Sequence, residues 1–196
     1  SLRELREQGI EPMAILSLMS RLGSSDPVEL RTSVQEVVDG FDVSKFGSAP
    51  TKFDPADLEP LTARVNAAKP YEAVADQIAA LGVPADIAPQ FWNVVRENIT
   101  YLSDMAGWWD LFANGAAGEA AAEDADFVAQ ALSMLGDAPY SATAWSDWTN
   151  AVKEATGRKG KTLFMPLRLA VTGRAKGPEM ADVLPLMQVK PSLKTA

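Results

Sequence analysis

The chain has 196 residues, 47% of them hydrophobic and 22% charged, with a formal net charge of −8, a length that supports one large domain or two small ones with real cores. It contains no cysteine and no histidine, which excludes disulfides, thiolate nucleophiles, the usual zinc and haem sites and the commonest general base. No apolar run approaches the ~20 residues that span a bilayer and no cationic leader opens the chain, so the composition reads as a soluble, cytoplasmic protein and argues against a self-sufficient enzyme.

The punctuation is helical. Ser1 and Glu4 have capping-box spacing in SLRELREQ, and Gly9 ends that segment. Pro12 suits a first helical position, and Met13, Ile15, Leu16, Leu18, Met19 and Leu22 form an apolar stripe up to Gly23. Asp26-Pro27 predicts the start of the next helix, running to Gly40. FDVSKFGSAPTKF over 41–53 reads as a loop, because Gly47, Ser48 and Pro50 block regular structure. Asp54-Pro55 opens a helix with Leu58, Leu61 and Val65 inward, and YEAVADQIAALG closes on Gly82. Residues 89–112 are apolar and periodic, which predicts one or two helices broken near Thr100 or Tyr101. NGAAGEAAAEDA is a connector that slides into a helix near 122–135. Ser141 is the expected cap of a helix carrying Trp145, Trp148 and Val152 and ending at Gly157. PEMADVLPLM gives a last short helix, and VKPSLKTA a loose tail. Few segments alternate with period two. The expected fold is all-α, a helical bundle of short helices joined at Pro and Gly, with weak boundaries near 68–70 and 136–140.

The charge is split. Residues 153–196 carry nine Lys/Arg against three Asp/Glu, net +6, whereas 1–152 carry nine against 23, net −14. Such asymmetry suggests either an anion-binding face or a basic segment docked on the acidic remainder, and charge alone leaves both open. The basic residues gather in GRKGKTLFMPLRLAVTGRAKGPEM, residues 157–180. Pro166 favours a helix beginning near Met165, which places Arg168 in or just after the first turn between Leu167 and Leu169. An Arg in so apolar a segment must find a partner: either it caps carbonyls within the bundle or it meets a ligand. Gly173 ends the helix, Gly177 permits close backbone approach, and Pro178 and Met180 offer an apolar ledge. Arg, free amides and a ledge are what unstacked RNA bases require. The five tryptophans fit core packing better than base stacking. FDVSKFG could touch a nucleic-acid backbone through Lys45 and Lys52, with a solvated turn as the default.

GRKGKTLFMPLRLAVTG followed by RAKGPEM resembles the C-terminal anticodon-binding region of bacterial glutamyl-tRNA synthetases, which runs GxKGKxLFxPLRxAxTGxxxGPEL. SLRELREQGIEPMAILSLMSRLGSSDP resembles the segment after that family's second catalytic signature loop, and FDVSKFGSAPTKFDPADLEPLTARVN its following region. The similarity runs in order along almost the whole chain and has an alphaproteobacterial flavour. The family's catalytic domain is Rossmann-type, with HIGH-like and KMSKS-like signatures, and binds ATP and glutamate; this sequence contains neither signature. The resemblance implies a non-catalytic, tRNA-recognising part of a class I glutamate–tRNA ligase. It implies an inner-elbow region over 1–68 and anticodon-binding subdomains over 69–136 and 137–196. It further implies no cofactor or metal in this part, with ATP and Mg in the catalytic domain, glutamate tRNA as partner, and a monomer that binds neither membrane nor DNA. Arg168 matches an Arg that contacts an anticodon base, and Gly177, Pro178 and Met180 match the turn that cradles anticodon bases. Some relatives carry a hydroxyl residue at the Gly177 position, so here that contact falls to backbone. Asn98 or Thr100 falls where members restricted to glutamate tRNA place an Arg that tests the third anticodon base. Without an Arg there, or Arg96 in its stead, glutamine tRNA becomes a second partner. Lys159, Lys161, Arg174, Lys176 and Lys45 are the expected phosphate contacts. A free-standing RNA-binding or adaptor module is the competing reading.

Overall fold

The computed structural model describes residues 1–115, 117–118 and 120–193; parts of the 114–125 connector and of the tail therefore lie outside the described residues. The fold is all-α. Among the described residues the chain forms eleven α-helices, short 3-10 turns, and one two-residue parallel pairing of β1 (Ala117–Gly118) with β2 (Ser192–Leu193). It divides into two compact units, Ser1–Asp76 with Ile99–Met105, and Gln77–Asn98 with Ala106–Ala196.

In the first unit, α1 (Leu2–Glu7) opens on the expected capping box of Ser1 and Glu4. α2 (Pro12–Met19) starts at its proline. Ile10, Ala14 and Leu18 then pack on Leu58 and Leu61 of α4 (Leu58–Ala68), with Tyr101 and Val65 beside them. The Asn66 amide donates to the Thr100 carbonyl at 2.8 Å, fastening α4 to the returning segment. The helix expected from Asp26-Pro27 to Gly40 is corrected. Residues 27–31 are not helical, and α3 spans only Val34–Asp39. A stronger cap lies seven residues on. The Ser33 hydroxyl accepts from Glu36 N at 3.2 Å, while the Glu36 carboxylate accepts from Thr32 N at 2.8 Å and Thr32 Oγ1 at 3.0 Å. Those bonds, the Thr32 amide first, hold the Glu36 carboxyl below its ordinary range. Asp26 is spent elsewhere: it accepts from Arg21 at 3.2 Å and Lys45 at 2.9 Å.

In the second unit, α6 (Ala88–Val95) buries Phe91, Trp92 and Val95 completely. The break expected near Thr100 is real, with 3-10 turns at Arg96–Asn98 and Leu102–Asp104 before α7 (Met105–Asn114). α8 (Ala125–Met134), α9 (Ala144–Thr156), α10 (Lys161–Thr172) and the short α11 (Met180–Val183) pack together, and α5 (Ala75–Ala80) precedes them in the chain. The Trp148 indole donates to the Ala131 carbonyl at 2.7 Å and ties α9 to α8. Ser141 is not the cap of α9: Thr143 holds that place, and Ser141 Oγ lies 3.2 Å from its hydroxyl. Core packing holds for Trp92, Trp108 and Trp148, whereas Trp109 and Trp145 are only half-buried.

Candidate nucleic-acid interface

The basic stretch is built around α10, which begins four residues earlier than Pro166 suggested. Gly160 is its N-cap, and Leu163 N and Phe164 N donate to the Gly160 carbonyl at 3.1 and 3.0 Å. Pro166 therefore sits inside the helix. Its ring nitrogen has no hydrogen to give the Thr162 carbonyl one turn back. Arg158 Nη1 supplies that bond instead, at 3.3 Å. The same guanidinium pairs with Asp124 and lies 4.0 Å over the Phe127 ring. Arg158 thus repairs the helix and docks the basic stretch on an acidic neighbour. Among the described residues it is the one cation beyond 152 that forms an ion pair. Docking of the basic segment on the acidic one accounts for Arg158 and no further.

Arg168 lies two turns along α10 and is half-buried. Its Nη2 donates to the Pro178 carbonyl at 3.0 Å. Nε and Nη1 meet no acceptor among the described residues. Arg168 also lines a depression of about 270 Å³, together with Trp145, Phe164, Glu179 and Met180. The apolar ledge expected from Pro178 and Met180 is corrected, because both are buried, Met180 to 3% exposure. They carry the floor and the turn. The exposed apolar wall is Phe164, 46% exposed, with the Trp145 ring centroid 6.3 Å away. Phe164 and Arg168 stand one helical turn apart on the same face. That spacing inside a cationic stretch was the available sequence signal for Phe164; Trp145 had none. A larger depression, about 610 Å³, lies on α10 beside Arg158, Asp124 and Pro166. Its guanidinium is already paired, so size does not make it the better anion or base site.

The turn that follows α10 rests on Trp108. Gly173 ends the helix in the left-handed conformation, φ 64°. The Arg174 guanidinium then lies 4.1 Å over the Trp108 ring, and a Cβ at Gly177 would stand 3.1 Å from Trp108 Cη2 and 3.5 Å from Arg168 Nη1. The Trp108 contact is tight for any side chain and the one to Arg168 is ordinary, so glycine lets the turn lie this close to the indole. The Trp108 indole donates to the Asn98 carbonyl at 3.4 Å. The expected partners Arg168, Gly177 and Pro178 are thereby brought into one neighbourhood.

Other expected residues are placed differently. Asn98 turns its side chain back to the Val94 carbonyl at 3.5 Å. Thr100 belongs to the first unit, where its amide donates to Asp104 at 2.9 Å. Arg96 is half-buried, with Nε enclosed and lacking a partner. Lys159, Lys161 and Lys176 are exposed and carry no ion pair among the described residues. Lys45 is held by Asp26, and Arg174 is committed to the Trp108 face.

The sequence matches the anticodon binding domain family over residues 63–194. It is 65% identical over 193 residues to glutamate–tRNA ligase 2 of Jannaschia sp. (strain CCS1), covering 98% of this chain and 43% of that protein. It is 62% identical over 189 residues to glutamate–tRNA ligase 1 of Ruegeria pomeroyi, covering 96% of this chain and 43% of the relative. The chain therefore spans less than half the length of these curated relatives. Its fold matches the crystal structure of a glutamate tRNA ligase from Elizabethkingia meningosepticum in complex with its amino acid. The TM-score is 0.69 at 21% identity, over 93% of this chain and 39% of that one. With two thirds of its residues inside the family match, this chain belongs to the anticodon binding domain family.

Proposed function

We propose that this chain is the tRNA-recognising part of a glutamate–tRNA ligase and that the Arg168 groove receives an unpaired anticodon base. One observation carries the proposal: a half-buried guanidinium, most of whose N–H groups meet no acceptor among the described residues, borders the same depression as an aromatic pair. That pairing of donors and a flat apolar surface is how single-stranded RNA is read. Glutamate activation with ATP and Mg, and transfer to tRNA, belong in this reading to the catalytic domain of the longer protein. In this reading the chain acts as a cytoplasmic monomer. Titration with intact and anticodon-substituted glutamate tRNA at fixed salt tests the proposal. Tighter binding of the intact tRNA is expected, and equal binding of all anticodons removes it.

Lys159 and Lys161 project from the start of α10 and serve as phosphate contacts in this reading. Lys161→Ala is expected to weaken all anticodon variants alike and to reduce the slope of log affinity against log salt by about 1. A changed anticodon preference would assign it to a base instead.

A second reading concerns glutamine tRNA. Neither Asn98 nor Thr100 offers a cation, and both are held by their own surroundings. We infer that the third anticodon base is weakly tested, so that glutamate and glutamine tRNAs bind comparably. A preference for the glutamate anticodon above about tenfold, the size of one base-edge contact, removes this reading and points to Arg96.

A further inference from the structure

We propose that Glu179 is the acceptor that decides which base edge the Arg168 groove takes, an inference that rests on the groove receiving a nucleobase. Glu179 is the N-cap of α11, yet its carboxylate makes no capping bond. It is exposed and has no ion pair or hydrogen bond from its side chain among the described residues. It nevertheless lines the same 270 Å³ depression as Arg168. Arg168 is fastened to the carbonyl of Pro178, the residue just before it. Two opposite charges thus border one groove without pairing. The groove is bordered by a guanidinium, a carboxylate and the Trp145–Phe164 pair.

The complement of that arrangement is a planar ring whose edge carries an N–H donor beside a carbonyl or ring-nitrogen acceptor. Arg168 takes the acceptor and Glu179 takes the N–H, as carboxylates do with amino groups on base edges. Uracil offers its imide N–H and cytosine its amino group, so both share this chemistry. Pyrimidin-2-one has the same ring and two acceptors but no donor. A phosphate is disfavoured, because the carboxylate repels it at the distance where the guanidinium attracts it.

The test uses the full chain and a hairpin carrying the anticodon loop of a glutamate tRNA, with each loop pyrimidine replaced singly by uracil, cytosine or pyrimidin-2-one. At one loop position the unsubstituted protein is expected to bind the uracil and cytosine loops about tenfold more tightly than the pyrimidin-2-one loop. Glu179→Ala is expected to bring all three within about twofold at that position. Its melting temperature should not change, since the side chain caps nothing. Three results overturn the proposal: no position sensitive to loss of the N–H, a Glu179→Ala variant that keeps the gap, or one that binds every loop more tightly by the same factor. The last would make Glu179 a simple repeller of RNA charge. Arg168→Ala separates the levels. Binding that depends on Arg168 but ignores the base N–H overturns this inference alone, whereas absence of loop binding overturns the nucleobase reading with it.

Discussion

Trp108→Ala is expected to lower stability by about 3–5 kcal/mol, measured as a fall in the urea midpoint. The indole is 2% exposed and packs against Phe112, with ring centroids 6.0 Å apart. Its far edge would stand 3.1 Å from a Cβ at Gly177, and its face carries Arg174. Burial supplies most of the effect, since a tryptophan removes roughly 150–250 Å² from water. The exposed Arg174 stack adds only about 0.5–1 kcal/mol. The bond to Asn98, at 3.4 Å, is long and adds little. Trp108→Phe keeps a ring beneath Arg174 but withdraws the atoms nearest Gly177, and should cost less. It also makes room for a side chain at 177, so Gly177→Ala should be milder in the Trp108→Phe background than alone. Strict additivity of those two changes would show that the turn does not rest on the indole.

The fold was legible where short-range chemistry decides it. Ser1 with Glu4, Pro12, Asp54-Pro55 and the glycine stops at 157 and 173 each named a helix end that the structure keeps. Two of the failures share one cause, a local signal outbid by a partner elsewhere in sequence. Asp26-Pro27 looked like a helix start, but Asp26 is claimed by Lys45, 19 residues away, while Ser33 and Glu36 build a better cap. Pro166 looked like a first-turn residue because its lost hydrogen bond is costly inside a helix. Arg158 fills the vacancy from outside the helix, and no pattern within α10 reveals that. The candidate site divides the same way. Arg168 and Gly177 stood out by composition and by resemblance. Trp145 did not, because a tryptophan at helical spacing signals core whether its second face is covered or open. Apolar residues at a turn, such as Pro178 and Met180, read as an outward ledge as readily as an inward anchor. In the structure they pack inward, and that inward turn is what holds the Pro178 carbonyl in reach of Arg168.

Arg168→Ala is expected to weaken binding of glutamate tRNA by about 1–3 kcal/mol, roughly five- to 150-fold. The range follows from what the guanidinium has to give. One N–H is spent on the Pro178 carbonyl, and the rest have no protein acceptor among the described residues, on a side chain that lines the groove. In the proposed reading, removing them deletes a charge-assisted donor pair for the base, while the Trp145–Phe164 pair that lines the same groove is left to cover its face. Binding should fall without vanishing, and discrimination at one anticodon position should fall with it. The same change costs the fold one hydrogen bond to a carbonyl beside a partly open groove, which water can replace in part. Stability should therefore drop by less than binding does. Arg168→Lys separates the two roles: a single ammonium can hold Pro178 or meet the base, but cannot present a planar fork to both. Retained stability with reduced anticodon discrimination is the expected outcome for the lysine variant. Should a folded Arg168→Ala chain bind intact and anticodon-substituted tRNA with its original preference, the base lies elsewhere. Should the variant instead unfold, the guanidinium is a strut for the Pro178 turn, and the groove beside it is a by-product of packing.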